Sequence, residues 1–273
     1  MKDREDEVAY IAMISFGKDS SVMVDLLCKE KEPLDYILFT DTLMENPLMY
    51  QYAEKFINYI NSRYKKQIKI LKPLTTFEEW CFGVIRDKKA ENYGKIRGIP
   101  MVWAEPCYWK REAKAKVANR FLKENNIKKS VVYIGYTYGE NRNINDEENI
   151  KYKFPLVDRK IKETNCQEYL SIQDMENPIY KFFSRSGCET CTGKSDKAWF
   201  TTWKYFKDVW EYMRLIQNRL LEYQSMGMEV KNPYWFVNYR TIEDMEKLFK
   251  EKDKQGSLFD FSDEPVKDCF CKI

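Results

Sequence analysis

A strand-turn-helix pattern near the amino terminus constrains the fold of this 273-residue chain more than any other feature. The mostly apolar segment Val8–Ile14 predicts a buried strand. Ser15–Ser21 follows directly, and Val22, Leu26 and Lys29 then recur at helical spacing. The chain therefore turns from a strand straight into a helix at Ser15–Ser21.

The residue types in this turn suit the binding of an anion. The first N–H groups of a helix have no intrahelical partner, and the helix dipole makes that end partly positive. Gly17 allows close approach of the backbone, while the hydroxyls of Ser15, Ser20 and Ser21 can donate hydrogen bonds. Lys18 can neutralise charge, so the turn is a candidate phosphate site, with an ordinary connecting loop as the alternative.

The turn lacks the glycine spacing of a Walker P-loop. It resembles the PP-loop, Ser-x-Gly-x-Asp-Ser, of the adenine nucleotide alpha-hydrolase superfamily, and within it the phosphoadenosine phosphosulfate (PAPS) reductase family. Asp19 would hold Lys18, the loop or a magnesium ion. The resemblance implies that Lys18 and Asp19 are catalytic. It also implies that ATP or PAPS is bound by Ser15, Phe16, Gly17, Lys18, Asp19, Ser20 and Ser21.

Further short strands alternate with helical patterns along the chain. They are predicted at Tyr36–Phe39, Gln67–Leu71 and Val131–Ile134. The alternation predicts an α/β fold with a parallel sheet and helices on both faces, and the resemblance implies the Rossmann-like adenine nucleotide alpha-hydrolase fold. Ligands of such sheets lie at the carboxyl ends of the strands. One rim would then carry Ser15–Ser21, Thr40–Glu45 and Gly135–Arg142.

Helix starts and one loop are also predicted. Asn46 followed by Pro47 favours a capped helix start, and Thr75 with Glu78 predicts a capping box. The segment Lys88–Pro100 is rich in Lys, Gly and Asn, which indicates a mobile loop.

Aromatic-rich helices follow Lys197. One helix face is interpreted as packed against the main domain rather than base-stacking, and it comprises Trp199, Trp203, Phe206, Trp210, Met213 and Ile216. With 44% apolar residues, the length suits one large domain with a smaller appendage. We therefore expect a PP-loop domain at 1–192, a helical C-terminal extension at 193–252 and a tail at 253–273.

The composition restricts the cellular compartment and the binding partners that we expect for this protein. The 46 basic and 43 acidic residues leave a net charge of only +3, which gives no global electrostatic case for nucleic acid. Met1–Glu7 is too acidic for a signal or transit peptide, and no apolar run is long enough to span a membrane. We expect a cytoplasmic protein whose eight cysteines are reduced, metal-bound or catalytic.

The resemblance continues after the second predicted strand. The segment from Thr40 and Asp41 to Glu45 and Pro47 resembles the family signature Asp-Thr-Gly-x-Glu-Phe-Pro, with Leu43 in place of the glycine. In the family this edge approaches the adenosine of the nucleotide. The resemblance therefore implies that Thr40 and Asp41 bind nucleotide.

Two later segments resemble nucleotide-binding stretches of the family. Cys107 followed by Lys114 is similar to its substrate loop, at a longer spacing. Gly135 with Glu140 and Arg142 is similar to its Gly-x-x-x-x-Glu stretch. The resemblance implies that Lys114, Gly135, Glu140 and Arg142 contact the nucleotide.

A cysteine pair lies further along the chain. Gly187–Thr192 resembles the Gly-Cys-x-x-Cys-Thr that holds part of the iron–sulfur cluster in adenylyl-sulfate reductases, and Asn177–Tyr180 resembles the segment preceding it. This implies Cys107, Cys188 and Cys191 as metal ligands. A [4Fe–4S] cluster, zinc and metal-free thiols remain alternatives, and zinc would be completed by Cys166, Cys269 or Cys271.

The remaining cysteines divide into two groups. Since the chain has no histidine, any transition-metal site must be built from cysteine. Cys28 and Cys81 fall on apolar helix faces and Cys166 lies near a helix start, so we predict structural roles for them. Cys269 and Cys271 resemble the nucleophilic tail cysteine of sulfonucleotide reductases and are candidate catalytic residues.

Two surface features suggest macromolecular partners. Gln255–Phe259 resembles the Gln-x-x-Leu-Phe peptide that docks DNA-acting proteins on the sliding clamp; the alternative is a tail packed on its own domain. Basic residues beside Cys107 could bind a nucleic-acid acceptor or form a solvated helix face. They are Lys110, Arg111, Lys114 and Lys116.

Three functions are consistent with these patterns. The first is an ATP-using enzyme that releases pyrophosphate by adenylylating an acceptor, a nucleic acid or a small molecule, in sulfur-transfer chemistry with a cysteine-held metal. Lys18 favours it, since a leaving pyrophosphate needs nearby positive charge. The second is a thiol-dependent PAPS or adenylyl-sulfate reductase. The third is a non-catalytic nucleotide-binding protein recruited to DNA by its tail.

Overall fold

The computed structural model describes residues 8–102, 104–140 and 144–255. The predictions for Arg142, Cys269, Cys271 and the clamp-docking peptide beyond Gln255 lie outside this part of the chain. The chain forms two compact units. The first unit comprises Met1–Thr42, Asn46–Pro73 and Ala113–Ile179, and the second comprises Leu43–Glu45, Leu74–Glu112 and Tyr180–Ile273. This grouping differs from the expected ranges because the Cys188–Cys191 segment groups with residues 74–112.

Five strands form one parallel sheet in the first unit. They are β1 (Val8–Ile14), β2 (Tyr36–Thr40), β3 (Ile68–Leu71), β4 (Lys129–Tyr133) and β5 (Ile150–Lys153). Their order is β3-β2-β1-β4-β5, and Ile11 of the central strand pairs with Tyr36 on one side and Val132 on the other. The predicted α/β class and the strands predicted from the sequence are confirmed.

Helices connect and follow these strands. They are α1 (Lys18–Lys29), α2 (Pro47–Tyr64), α3 (Phe77–Phe82), α4 (Tyr108–Lys110), α5 (Lys116–Glu124), α6 (Pro155–Asp158), α7 (Glu163–Ile172), α8 (Asp196–Tyr205), α9 (Lys207–Ser225) and α10 (Ile242–Gln255). A short π-helical segment, Arg111–Ala115, joins α4 to α5. We call this segment the π-turn. No helix in the described residues is both long enough and apolar enough to cross a membrane.

Local sequence signals explain two of the helix starts. Asn46 Oδ1 accepts a hydrogen bond from Leu48 N at 2.8 Å, which confirms the predicted cap of α2. The capping box of α3 was predicted one residue too early. The structure forms it from Thr76 and Glu79, which starts the helix at Phe77 and buries that ring.

The core of the first unit lies on both faces of the sheet. Ile11, Leu38, Phe121 and Val132 form a buried cluster from strands and α5. The buried carboxylate of Asp25 on α1 accepts hydrogen bonds from tyrosine hydroxyls of α2 and α7, one of them at 2.8 Å. Apolar burial and this polar contact together hold α1 in a defined position under the turn that precedes it.

The second unit has an aromatic core. Trp199 packs edge-on against Phe236 with centroids 5.3 Å apart, and Trp210 lies 5.8 Å from Phe249. Both indoles are at most 2% exposed. The burial of these rings favours a packing role over base stacking, but their partners Phe236 and Phe249 belong to the second unit itself and not to the sheet domain.

The segment Lys88–Pro100 forms no helix or extended strand, as a loop should, but its second half is tied to residues near 230. Ile96 forms bridges with Val84 and Val230. Ile99 N donates to Asn232 O at 2.7 Å, and a Cβ at Gly98 would lie 1.9 Å from that oxygen. Glycine is therefore needed here for close backbone contact.

Candidate functional site

The turn Ser15–Ser21 is held in shape by its own hydroxyl groups. Ser20 Oγ accepts a hydrogen bond from Ser15 N at 3.1 Å and donates one to Gly17 O at 3.1 Å. Gly17 is the N-cap residue of α1 and has an extended backbone conformation. Because glycine has no side chain, the N-cap residue offers no side-chain acceptor to the N–H groups of the first helical turn. Such a helix start is suited to bind the oxygens of a phosphate.

Phe16 supports the turn from the protein interior. Its ring is fully buried and lies 4.7 Å from the centroid of Phe39 in an edge-on contact. Its backbone has a φ of 56°, in the left-handed region that costs energy for a non-glycine residue. Asn177 Nδ2 donates a hydrogen bond to Phe16 O at 3.0 Å and holds this conformation.

Gly135 permits close packing under the turn. A Cβ at this position would lie 2.8 Å from Ser20 Cα and 2.9 Å from Ser20 N. Position 135, two residues after the end of β4, therefore has to be glycine for the first turn of α1 to lie where it does. The resemblance implied a nucleotide contact for Gly135, and the structure adds this packing role.

Lys18 forms an ion pair that the sequence did not predict. Its Nζ lies 2.7 Å from Glu163 Oε1, at the first residue of α7. The lysine side chain is 12% exposed and that of Glu163 is 49% exposed. No spacing rule connects the two residues, so this pair could be found only from the fold.

Asp19 is a buried carboxyl with an unusual titration. Burial, assisted by the negative charge of Glu163 and opposed by Lys18, raises its pKa to about 7. The thiol of Cys166 lies near Asp19, and burial together with this negative neighbour raises the pKa of the thiol. Cys166 is fully buried, so the structural role predicted for it is supported.

Two polar atoms near the start of α1 have no hydrogen-bond partner within the described residues. They are Asp19 Oδ1 and Ser21 Oγ, both enclosed. Buried polar atoms without partners are rare in proteins and require an explanation, such as a ligand or an ion. These atoms fit a site that receives the phosphates and magnesium of a nucleotide.

The carboxyl end of β2 carries the predicted Thr40 and Asp41. Both are buried, and Asp41 Oδ1 accepts a hydrogen bond from Tyr50 Oη at 2.8 Å. Asp41 also lines a cavity of about 280 Å³ with Phe39, Asn58 and other residues of β2, α2 and β3. The two predicted residues thus lie at the expected rim of the sheet.

Glu140 and Lys114 lie in distinct local structures. Glu140 Oε2 accepts a hydrogen bond from Thr137 N, and Glu140 N donates one to Thr137 O, each at 3.2 Å. Lys114 lies in the π-turn Arg111–Ala115, a geometry often found at functional sites. Their predicted contact with nucleotide stays a prediction.

The cysteine pair lies on a tight loop of the second unit. Cys191 N donates to Cys188 O at 3.1 Å, and Cys188 forms a bridge with Glu45. Glu189 N donates to Met44 O at 2.7 Å. We call Gly187–Thr192 the cysteine loop.

Side chains inside the cysteine loop hold it to its surroundings. Glu189 and Lys194 form an ion pair at 3.0 Å, and their side chains are only 4% and 6% exposed. Thr202 Oγ1 hydrogen-bonds to Glu189 at 2.9 Å, and Thr192 Oγ1 donates to Pro100 O at 2.7 Å. Sequence reasoning missed these supports because it considered only the cysteines of the motif.

Cys107 caps α4, and its Sγ accepts a hydrogen bond from Lys110 N at 3.4 Å. Cys107, Cys188 and Cys191 are of intermediate exposure, whereas Cys28 and Cys81 are buried, as predicted. Within residues 8–102, 104–140 and 144–255, no three or more Cys, His, Asp or Glu side chains are placed to hold a metal ion. The cysteines are suitable ligand types, but this arrangement is not a ready metal site.

The parallel sheet, with the turn Ser15–Ser21 between its first strand and α1, has the arrangement of an α/β domain of the PP-loop class. The chain belongs to the phosphoadenosine phosphosulfate reductase domain family, whose model matches residues 9–194. It is therefore a member of the adenine nucleotide alpha-hydrolase superfamily, as the sequence resemblance implied.

Two solved structures are similar to this chain. One is phosphoadenylyl-sulfate (PAPS) reductase from Candida auris in a phosphate complex, with a TM-score of 0.44 and 19% identity over 62% of this chain and 75% of that one. The other is the U34-tRNA thiolase NcsA from Methanococcus maripaludis with its [4Fe-4S] cluster, with a TM-score of 0.38 and 17% identity over 62% and 58%. No curated protein matches the sequence significantly.

Proposed function

We propose that this protein binds ATP at the turn Ser15–Ser21 and releases pyrophosphate by adenylylating an acceptor in sulfur-transfer chemistry. The observation that carries the proposal is the placement of Lys18. It is the first residue of α1, it is largely buried, and it lies beside the unpartnered carboxyl oxygen of Asp19. Positive charge held where a leaving pyrophosphate develops negative charge lowers the barrier to this reaction.

The proposed step moves one group. A nucleophilic atom of the acceptor forms a bond to the α-phosphorus of ATP, and the bond from that phosphorus to the bridging oxygen breaks. The bonding electrons leave with pyrophosphate. Lys18 and the first turn of α1 would stabilise that charge, while the hydroxyls of Ser15 and Ser21 would orient phosphate oxygens.

Asp19 has a separate role in this proposal. Its raised pKa reflects a buried carboxyl with too little positive charge nearby. Magnesium bound with ATP would supply that charge and favour the ionised carboxylate. Asp19 would then help to hold the metal and the phosphates in register with Lys18.

The cysteine loop is proposed to act in the sulfur-transfer part of the function. Cys107, Cys188 and Cys191 remain the proposed ligands of a [4Fe–4S] cluster, with zinc as the alternative. Because the described side chains are not arranged as a metal site, no reaction step is assigned to a metal here. Anaerobic purification followed by iron, zinc and sulfide analysis tests the ligand assignment.

Pyrophosphate release tests the central proposal. Wild-type protein should release pyrophosphate from ATP when acceptor is supplied in a cell extract, and Lys18→Ala should reduce the rate at least about a hundredfold, as removal of a charge-stabilising group does. Lys29→Ala, in the last turn of the same helix, is the matched control and should retain activity. Equal loss in both variants, or no pyrophosphate from wild type, would contradict the proposal.

The second candidate is a thiol-dependent sulfonucleotide reductase. The family match and the Gly-Cys-x-x-Cys-Thr sequence of the cysteine loop favour it. Sulfite release from PAPS with a dithiol reductant distinguishes the two candidates. Sulfite without pyrophosphate would establish the reductase, whereas pyrophosphate without sulfite would exclude it.

A further inference from the structure

The second unit contains a cavity of about 260 Å³ that the nucleotide proposal does not use. Its lining includes Met44, Glu45, Phe77, Glu78, Glu189 and Tyr212. We call this cavity the carboxylate pocket. Its volume suits a small ligand or a single ring of a larger one.

Much of the wall of the carboxylate pocket is apolar. Met44 and Phe77 are buried at 7% and 3% exposure, and their side chains line the cavity together with Leu43 and Val209. Tyr212 Oη lies 3.8 Å from Met44 Sδ, so the phenol ring closes one side. These walls would contact the hydrocarbon part of a ligand.

The polar part of the lining carries one sign of charge. It contributes three carboxyl groups and three hydroxyl groups, and no lysine or arginine is among the described residues that line the cavity. Glu189 is neutralised by its buried ion pair with Lys194 at 3.0 Å. The carboxylate on which a cation-binding role depends is therefore that of Glu78.

Glu78 and Tyr212 both line the carboxylate pocket. Burial, together with the nearby carboxylate of Glu78, raises the pKa of the Tyr212 hydroxyl, so the phenol stays neutral beside Glu78. A carboxylate in an apolar wall repels anions and attracts a cation that can replace the water around the carboxylate.

The carboxylate pocket adjoins the cysteine loop. Glu189 and Thr190, which line it, are the two residues between Cys188 and Cys191. Glu45, also in the lining, forms the bridge with Cys188. A ligand in the pocket would therefore lie against the backbone of the cysteine loop.

We propose that the carboxylate pocket binds a small ligand that carries an ammonium or amidinium group on an apolar body. The carboxylate of Glu78 binds the cation, and the apolar walls bind the body. The proposal that the pocket binds such a ligand does not depend on the function proposed above. The assignment of the pocket as the binding site of the acceptor rests on that function.

Binding of a matched set of probes tests the proposal. Benzylamine, benzyl alcohol and benzoate share a ring and differ in charge, and their binding can be followed by calorimetry or by chemical shifts of labelled methionine methyl groups. Benzylamine should bind at least about tenfold more tightly than benzyl alcohol, the ratio expected for a charge-assisted hydrogen bond, and benzoate should not bind. Equal binding of the alcohol, preferred binding of benzoate, or no binding of benzylamine would overturn the proposal.

Variants that remove one carboxylate charge test whether benzylamine binds in the carboxylate pocket. Glu78→Gln should weaken benzylamine about tenfold, whereas Glu229→Gln removes an exposed carboxylate of the same unit outside the pocket and should have little effect. Equal weakening by both would show a long-range effect and contradict the site. The probe series on wild-type protein remains decisive if Glu78→Gln fails to fold.

Pyrophosphate release separates this proposal from the function above. If benzylamine fails to bind while pyrophosphate is released from ATP, the pocket assignment is wrong and the function stands. If benzylamine binds through Glu78 and no pyrophosphate is formed, the pocket stands as a ligand site and the proposed function is wrong.

Discussion

The turn Ser15–Ser21 and the cysteine loop differ in how their buried polar groups are satisfied. In the turn, Asp19 Oδ1 and Ser21 Oγ have no partner among the described residues, and the carboxyl of Asp19 has a raised pKa. In the cysteine loop, the buried carboxylate of Glu189 is matched by Lys194 and Thr202. The turn is therefore suited to receive polar groups from a ligand, whereas the loop holds its shape without one.

The largest expected effect tests the packing beneath the turn. Gly135→Ala would place a Cβ 2.8 Å from Ser20 Cα, and backbone atoms cannot give way cheaply. We expect loss of measurable ATP binding in calorimetry and a lower midpoint of thermal unfolding.

Gly187→Ala is the control for that experiment. A Cβ at Gly187, at the start of the cysteine loop, meets nothing within 4 Å. It should leave both ATP binding and the midpoint near the wild-type values. Normal ATP binding by Gly135→Ala would contradict the packing role.

The second effect tests the buried ion pair between Glu189 of the cysteine loop and Lys194. Lys194→Met leaves Glu189 buried and unpaired, which should lower the free energy of unfolding by about 3–5 kcal/mol in urea titration. Combining it with Glu189→Leu should recover much of that loss. Lys204→Met breaks a more exposed pair with Asp253 and should cost only about 0–1 kcal/mol.

The third effect is a pH dependence from Asp19. Its folded pKa of about 7 lies above the unfolded value of 3.8, so between these values the folded state binds more protons. Stability should therefore be full below pH 4 for this group, fall as pH rises towards 7, and level off above. Asp19→Asn should lose that fall, as measured by urea unfolding between pH 5 and 8, and an unchanged slope would contradict the raised pKa.

The smallest effect tests the ion pair at Lys18. Glu163 is about half exposed, so Glu163→Gln should remove this one partner of Lys18 at little cost in stability. The Glu163 carboxylate competes with the phosphates of ATP for Lys18, so its removal should tighten ATP binding about two- to fivefold in calorimetry. This factor corresponds to the free energy of a surface ion pair. Glu168→Gln, exposed on the same helix, should change nothing. Weaker binding by Glu163→Gln would instead indicate that Glu163 contacts the ligand or its metal.

Local patterns predicted the elements of this protein well because their causes are local. The apolar run Val8–Ile14 and the Asn46 cap each depend on a few neighbouring residues, and the structure forms both. The capping box shows the limit of such signals. Thr75 with Glu78 and Thr76 with Glu79 have the same spacing, so the sequence pattern does not distinguish the pair that the structure uses, Thr76 with Glu79.

The supports of the candidate site could not be predicted because they come from distant parts of the chain. Asn177, which holds the backbone of Phe16, is 161 residues away from it in sequence. Glu163 reaches Lys18 only because α7 packs on α1. Motifs identify residues that face a ligand, whereas the residues that hold them are found only from the fold.

The π-turn at Arg111–Ala115 has a consequence for length variation in this segment. A π-turn contains one residue more than an α-turn, so it is the form that a single-residue insertion takes inside a helix. We therefore expect deletion of one residue within Arg111–Ala115 to restore α-helical hydrogen bonding in this segment.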